Sequence, residues 1–351
     1  MIRVGISGIG FMGWIHYLAW KNVPQAEVVA IQSSDPKKRA GDWTSIRGNF
    51  GPPGEQVDVN GLRAYASLPE LLGDTEVDLI DLCSPPHAHA TAVEAALAAG
   101  KHVLCEKPLA LDAAEAQRLA QRASAAGRQL MVAHVLPFLP EFAFLLHAHR
   151  EGRFGKLLTG RFRRVISPPD WIPDFYDPAR IGGPLIDLHV HDAHLMRLLF
   201  GQPSSVTARA TLRDGVPKFI EALVDFPDGR FAAATCGVTD SPARPFCHGY
   251  EVQFEKATLQ FDFAAFSDIA ESLPLKVLHA DGRIERPDLG AGDMIDAFTA
   301  ELGLAAAIAA GTKTDSILDG TLAADAITLC QAIDQAARGR HPVSLEGTAT
   351  A

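Results

Sequence analysis

Short, mainly apolar runs separated by amphipathic segments dominate the first 130 residues. Residues 2–7 read as a buried strand, 11–21 as a helix and 27–32 as a second strand. After a Gly/Pro-rich connection around 51–54, Ser67-Leu-Pro-Glu70 has the spacing of a helix start, with a capping serine and a glutamate three residues on. Strand 77–82, helix 88–99, strand 102–105, helix 112–126 and strand 129–134 follow. Continuous apolar strands alternating with helices predict a parallel sheet covered on both faces.

The rhythm changes after Pro137 and Pro140. A helical segment to about Arg150 precedes alternating patterns at 157–166, 205–212, 219–226, 230–238, 250–254, 257–263 and 275–279, with turn signals such as Pro227-Asp228-Gly229 and Asp281-Gly282 between or beside them. Period-two alternation predicts a largely antiparallel sheet with helices on one face. Ala-rich helices over 293–310 and 319–337 close the chain. The expected organisation is an α/β nucleotide-binding domain over residues 1–130 and an α+β substrate and oligomerisation domain over 131–351.

Composition narrows the function. At 351 residues the chain suits about two domains. A net charge of -10 argues against a general affinity for nucleic acid or anionic membrane, because both need clustered positive charge. No apolar run approaches the roughly 20 residues of a membrane helix, and the opening MIRVGISGIG enters a strand pattern without the form of an export signal, so a cytoplasmic protein is expected. Five scattered cysteines with no CxxC pair predict reduced, buried thiols.

Gly8-Ile-Gly10-Phe11-Met12-Gly13 follows the first strand and opens the first helix. In such a turn the first glycine permits the bend, the second admits a pyrophosphate and the third allows close packing, while helix amides bind the anion. Ser33, Ser34, Lys38 and Arg39 after the second strand suit a 2′-phosphate, with Asp35 left as the alternative ribose acid, so NADP is favoured over NAD.

Three further motifs occur in order: Ser84-Pro85-Pro86-His87-Ala-His89, then Glu106-Lys107-Pro108, then Gly182-Gly183-Pro-Leu-Ile-Asp187-Leu-His-Val-His191-Asp192. With the glycine turn, they make the chain resemble the Gfo/Idh/MocA oxidoreductases over nearly its whole length. The resemblance implies a Rossmann domain, a second domain with an open antiparallel sheet, NAD or NADP, a sugar or polyol substrate and a homodimer or homotetramer. Lys107 matches the family's catalytic-site lysine, and Asp187 and His191 match positions that face substrate. Pro137, His189 and His194 depart from the usual pattern.

Oxidising a secondary alcohol needs a base for the hydroxyl proton and a donor for the developing alkoxide. Imidazole titrates near neutrality, making His191 the candidate general acid/base, with Asp187 one helical turn away and Lys107 polarising the oxygen. Ser84, Pro85, His89 and Glu106 join Lys107 as candidate cofactor contacts, and Trp171 and His194 as candidate substrate contacts. Two alternatives stand beside the dehydrogenase: a non-catalytic nucleotide sensor on the same fold, and a metal-dependent hydrolase using His189, His191, Asp192 and His194. On a helix His189 and His191 point about 200° apart, which opposes the second.

Overall fold

In the computed structural model, residues 1–168, 175–290, 292–314 and 317–345 are described. They form two compact units: Met1–Ala110, Ala114–Leu139 and Ala291–Ala324 in the first, and Leu111–Ala113, Pro140–Gly290 and Asp325–Ala351 in the second.

The first unit begins with β1 (Ile2–Ser7), α1 (Phe11–Trp20), β2 (Ala26–Gln32), α2 (Pro36–Arg39), β3 (Arg63–Tyr65), α3 (Leu68–Leu72), β4 (Leu79–Leu82) and α4 (Pro86–Ala98). It continues with β5 (His102–Glu106), α5 (Ala113–Ala125) and β6 (Leu130–Ala133). All six strands are parallel, in the order β3-β2-β1-β4-β5-β6. This doubly wound order reverses direction between β1 and β4, and such sheets bind ligands at the carboxyl ends of the strands beside that switch. Val4, Ile6, Leu79, Ile80, Leu82, Val103 and Leu104 have no exposed surface, as strands covered on both faces require. The capping box is formed: the Ser67 amide donates to Glu70 Oε2 at 3.1 Å.

The second unit contains α6 (Pro140–Arg150), β7 (Leu157–Ile166), α7 (Pro178–Ile181), α8 (Val190–Phe200), β8 (Ser205–Arg213), β9 (Val216–Asp225) and β10 (Phe231–Val238). It continues with β11 (Phe246–Phe254), β12 (Ala257–Ala265), β13 (Ala270–His279) and β14 (Ile284–Glu285). Helices α9 (Met294–Ala309) and α10 (Gly320–Gly339) follow, and β15 (Val343–Ser344) joins the edge of the sheet. The sheet has nine strands, in the order β14-β13-β12-β11-β7-β10-β9-β8-β15. Its pairs are antiparallel except β7 with β10. On β7, Phe162 and Arg164 point to the buried face with their register partners Ala234, Cys236, Tyr250 and His248, while Arg163 is substantially exposed.

The expected division falls after residue 130, while the first compact unit runs on to Leu139 and includes α9, whose apolar residues pack on α1: Phe298 meets the His16 ring at 5.7 Å. No described helix is long and apolar enough to cross a membrane.

Candidate active site

The glycine turn is specialised residue by residue. Gly8 has φ +97°, and a Cβ there would sit 2.8 Å from the Cys83 carbonyl. A Cβ on Gly13 would strike the Gly8 carbonyl oxygen. Both glycines are therefore demanded by the chain's own packing. Gly10 is different: a Cβ there would meet nothing within 4 Å. Its missing side chain keeps open the space before α1, where no side chain caps the helix and no acid occupies the first turn. An uncapped helix start facing open space fits a pyrophosphate. The Phe11 ring packs edge-on against Phe50 at 4.8 Å.

At the end of β2, Asp35 is the N-cap of α2 and accepts from the Lys37 amide at 2.9 Å. Its carboxylate is thus partly committed to the helix. Ser33 is buried and its hydroxyl accepts from the Asp35 amide, whereas Ser34 is exposed. Arg39 Nη1 donates to the Ser33 and Ser34 carbonyls at 2.7 and 3.0 Å, and Lys38 Nζ to the Ile9 carbonyl at 2.6 Å. Lys38 therefore braces the glycine turn itself.

Beyond β4 and β5 two turns are fastened together. Pro85 is exposed as the N-cap of α4, and the neighbouring Ser84 Oγ is buried without a partner among the described residues. The His89 ring spans the Ser84 and Pro108 carbonyl oxygens, 2.7 Å from each, and is buried. Burial holds its pKa below the usual imidazole value. The sequence suggested a cofactor contact for His89; its ring nitrogens are instead occupied by backbone. The Lys107-Pro108 bond is cis.

Glu106, another expected cofactor contact, is engaged by the chain as well. Its carboxylate turns inward, with Oε1 3.1 Å from His16 Nε2 and Oε2 accepting from the Lys107 amide at 3.0 Å. A carboxylate so engaged supports the turn from behind. Lys107 itself is half-buried.

In the second unit, Gly182 closes α7 in a left-handed conformation, φ +81°, and Gly183 follows at φ +73°. The chain then enters a π-helical segment, Leu185–His189, before α8. The sequence predicted a regular α-helix here; instead the backbone bonds run i→i+5 before tightening, an irregularity frequent at functional sites. Of the residues from 187 to 194, Asp187 and His191 are half-buried and the other six are buried. His194, the expected substrate contact, is completely buried. Trp171 lies outside the described residues.

Asp192 is held by Arg164, which donates from Nε at 2.9 Å and Nη2 at 3.1 Å. Burial alone would raise its pKa, but the Arg164 guanidinium and the neighbouring His189 outweigh this and bring it down to about 2. Removing one partner of such a pair costs about 3–5 kcal/mol. Asp192 is therefore spent on anchoring α8 to β7, and the four polar residues of the metal-hydrolase alternative are divided between buried and half-buried positions.

Sequence comparison supplies the family. A family model described as an oxidoreductase family with an NAD-binding Rossmann fold matches residues 2–134, and the GFO/IDH/MocA C-terminal domain matches residues 142–260. The chain belongs to the Gfo/Idh/MocA oxidoreductases. A Mus musculus trans-1,2-dihydrobenzene-1,2-diol dehydrogenase is 30% identical over 68% of this chain and 69% of its own length. The inositol 2-dehydrogenase of Rhizobium meliloti (strain 1021) is 30% identical over 60% of this chain and 59% of its own. An Agrobacterium radiobacter oxidoreductase solved with NAD+, L-tartaric acid and magnesium has the same fold, with a TM-score of 0.80 at 18% identity, covering 99% of both chains. A levoglucosan dehydrogenase with NADH and levoglucosan superposes with a TM-score of 0.77 at 21% identity, covering 98% of each. The glycine turn lies within the region matched by the NAD-binding Rossmann fold of the Gfo/Idh/MocA family.

Sequence reasoning missed His16 and Arg164. Alternation through Phe162-Arg163-Arg164 would have flagged the latter as an inward cation.

Proposed function

We propose that the chain is an NAD(P)-dependent dehydrogenase acting on a secondary alcohol of a polyol, cyclitol or sugar, with His191 as general acid/base and Asp187 and Lys107 as its partners in the chemistry. The observation that carries this reading is the selective exposure in the Asp187–His194 segment: His191 and Asp187 are half-buried, while the other six residues of the segment are buried. Lys107 matches the lysine of the family's Glu-Lys-Pro motif, and relatives named for inositol and dihydrodiol oxidation support the substrate class.

Neutral His191 takes the hydroxyl proton, Asp187 orients the ring or holds a neighbouring hydroxyl, and the Lys107 ammonium stabilises negative charge on the reacting oxygen. A nicotinamide nucleotide held at the turn of Gly8, Gly10 and Gly13 would supply the hydride acceptor. The products are the ketone, the reduced nucleotide and a proton on His191; reduction runs the same steps backwards.

For the nucleotide, the chain's own residues favour a 2′-phosphate: Asp35 caps α2, while Arg39 stands beside exposed Ser34. NADP is therefore preferred, with NAD also bound. Exposed Leu223 and Phe231 lie on one face of the second sheet and support self-association; sedimentation should give a dimer or tetramer. A cytoplasmic location is consistent with the uniformly free, buried cysteines. The test is to follow nicotinamide absorbance with NAD+ and NADP+ across cyclitols and aldoses. Reduction abolished by His191→Asn supports the reading, and nucleotide binding without turnover on any of them favours the sensor.

A further inference from the structure

Directly behind the glycine turn lies a polar cluster that the chemistry above does not use. His16, one helical turn beyond Met12 on α1, is completely buried. Its Nδ1 stands 3.0 and 3.1 Å from the two Asp81 oxygens, and its Nε2 3.1 Å from Glu106 Oε1. Asp81 also accepts from Trp20 Nε1 at 2.7 Å and from the Cys83 thiol at 3.6 Å. The other Glu106 oxygen accepts the Lys107 amide at 3.0 Å.

We propose that His16 is a positioning residue: clamped between Asp81 and Glu106, it fixes the Glu106 carboxylate that holds the Lys107 backbone, and so ties the nucleotide-binding helix to the reactive lysine. This rests on the reading of Lys107 as a reacting-site residue. Ionised carboxylates only accept hydrogen bonds, so an imidazole facing one on each nitrogen must donate from both and carry a positive charge. Burial opposes that charge, but Asp81 and the other neighbours prevail and hold the His16 pKa well above its usual value.

The surrounding groups agree. On α9, Glu301 is completely buried, and burial, opposed by His16 and reinforced by Glu106 and Asp81, raises its pKa well above the usual carboxylate value. Burial pushes the Cys83 thiol up to about 12, so it serves as a donor. Cys105 donates to the Glu106 carbonyl at 3.2 Å, and its own pKa is raised by burial. Phe298 of α9 closes the remaining side of the His16 ring. The cluster thus sets one imidazole between two carboxylates in a buried site, and a wrong placement of the reacting lysine by about 1 Å costs on the order of 100-fold in rate.

His16, Asp81 and Cys83 also have the spacing of metal ligands. The hydrogen bonds above already satisfy His16 and Asp81, and a protonated thiol is a poor ligand.

The test compares His16→Gln and Glu106→Gln with the wild type. Glu106→Gln keeps an oxygen for the Lys107 amide but loses the charge, and it carries the test where His16→Gln fails to fold. Each should lower kcat by roughly 10- to 100-fold while the dissociation constant for the reduced nucleotide moves less than about 3-fold. Added to Lys107→Met, either change should reduce the residual rate by less than about 2-fold, because the network acts through Lys107. A loss of nucleotide affinity in step with kcat, or a full second decrement in the Lys107→Met background, overturns the proposal. Wild-type activity in Lys107→Met alone overturns instead the reading on which it rests. Imidazole nitrogen NMR of the wild type should show His16 doubly protonated at pH 7–8; a neutral ring, or stoichiometric zinc surviving dialysis against chelator, contradicts it.

Discussion

Among the described residues each unit buries an acid–base cluster, and the two differ in their cation. In the first, His16 faces Asp81 and Glu106; in the second, Arg164 faces Asp192. Arginine keeps its proton at any accessible pH, so the second pair is a permanent brace fixing α8 on the sheet. Histidine is charged only because its neighbours make it so, and its cluster leads through Glu106 to the Lys107 backbone. Similar burial therefore serves different ends: one pair holds an element in place, and the other holds a residue adjoining the chemistry.

The contrast is best sharpened by comparing, within the 187–194 segment, the buried histidines with His191, which keeps accessible surface. His191→Asn should lower kcat by about 10²- to 10⁴-fold, the usual contribution of a general acid/base, with nucleotide affinity retained. His194→Asn, in a fully buried position, should instead lower the melting temperature more than it lowers kcat. Equal losses of turnover in the two variants would erase the distinction.

Asp192→Asn should destabilise the protein at neutral pH by about 3–5 kcal/mol, measured by denaturant unfolding. The sign with pH follows from the depressed pKa of about 2. Stability from ionised Asp192 is present above the unfolded carboxyl value near 3.9 and is lost as pH falls through the folded value, so the gap between wild type and variant should close between roughly pH 4 and 2. The His16 cluster has the opposite sign: its contribution is full below the unfolded imidazole pKa of about 6.5 and disappears only as pH climbs through the raised folded value. A gap for Asp192→Asn that does not close in acid would dissolve the contrast.

At the nucleotide end the expected effects are smaller. Arg39→Ala should shift the ratio of kcat/KM for NADP+ over NAD+ toward NAD+ by about 10-fold, the loss of one charged contact. Ser67→Ala, remote from either cluster, should cost only about 1 kcal/mol through the lost cap.

Much of this architecture is written in periodicity. Five of the six parallel strands appear as apolar runs because they are covered on both faces, and the glycine turn stands out because it is bounded by the first strand and first helix. Short elements such as α2 and β3 escaped, since four or three residues give no period to read. The π-helical start at Leu185–His189 was also hidden: the same spacing of Asp187 and His191 fits a regular helix. His16 looked like an ordinary helix residue because its partners lie 65 and 90 positions away, on strands whose neighbourhood emerges only from the fold. The return of α9 to the first unit was illegible for the same reason.

The most direct test of the central claim is the pH dependence of alcohol oxidation by the wild type and His191→Asn, followed at the nicotinamide absorbance with whichever cyclitol or aldose reduces NAD+ or NADP+. The wild-type rate should rise through one ionisation near neutral pH as His191 becomes the free base, and that inflection should vanish in the variant along with most of the rate. An unchanged rate and an unchanged inflection in His191→Asn would contradict the assignment.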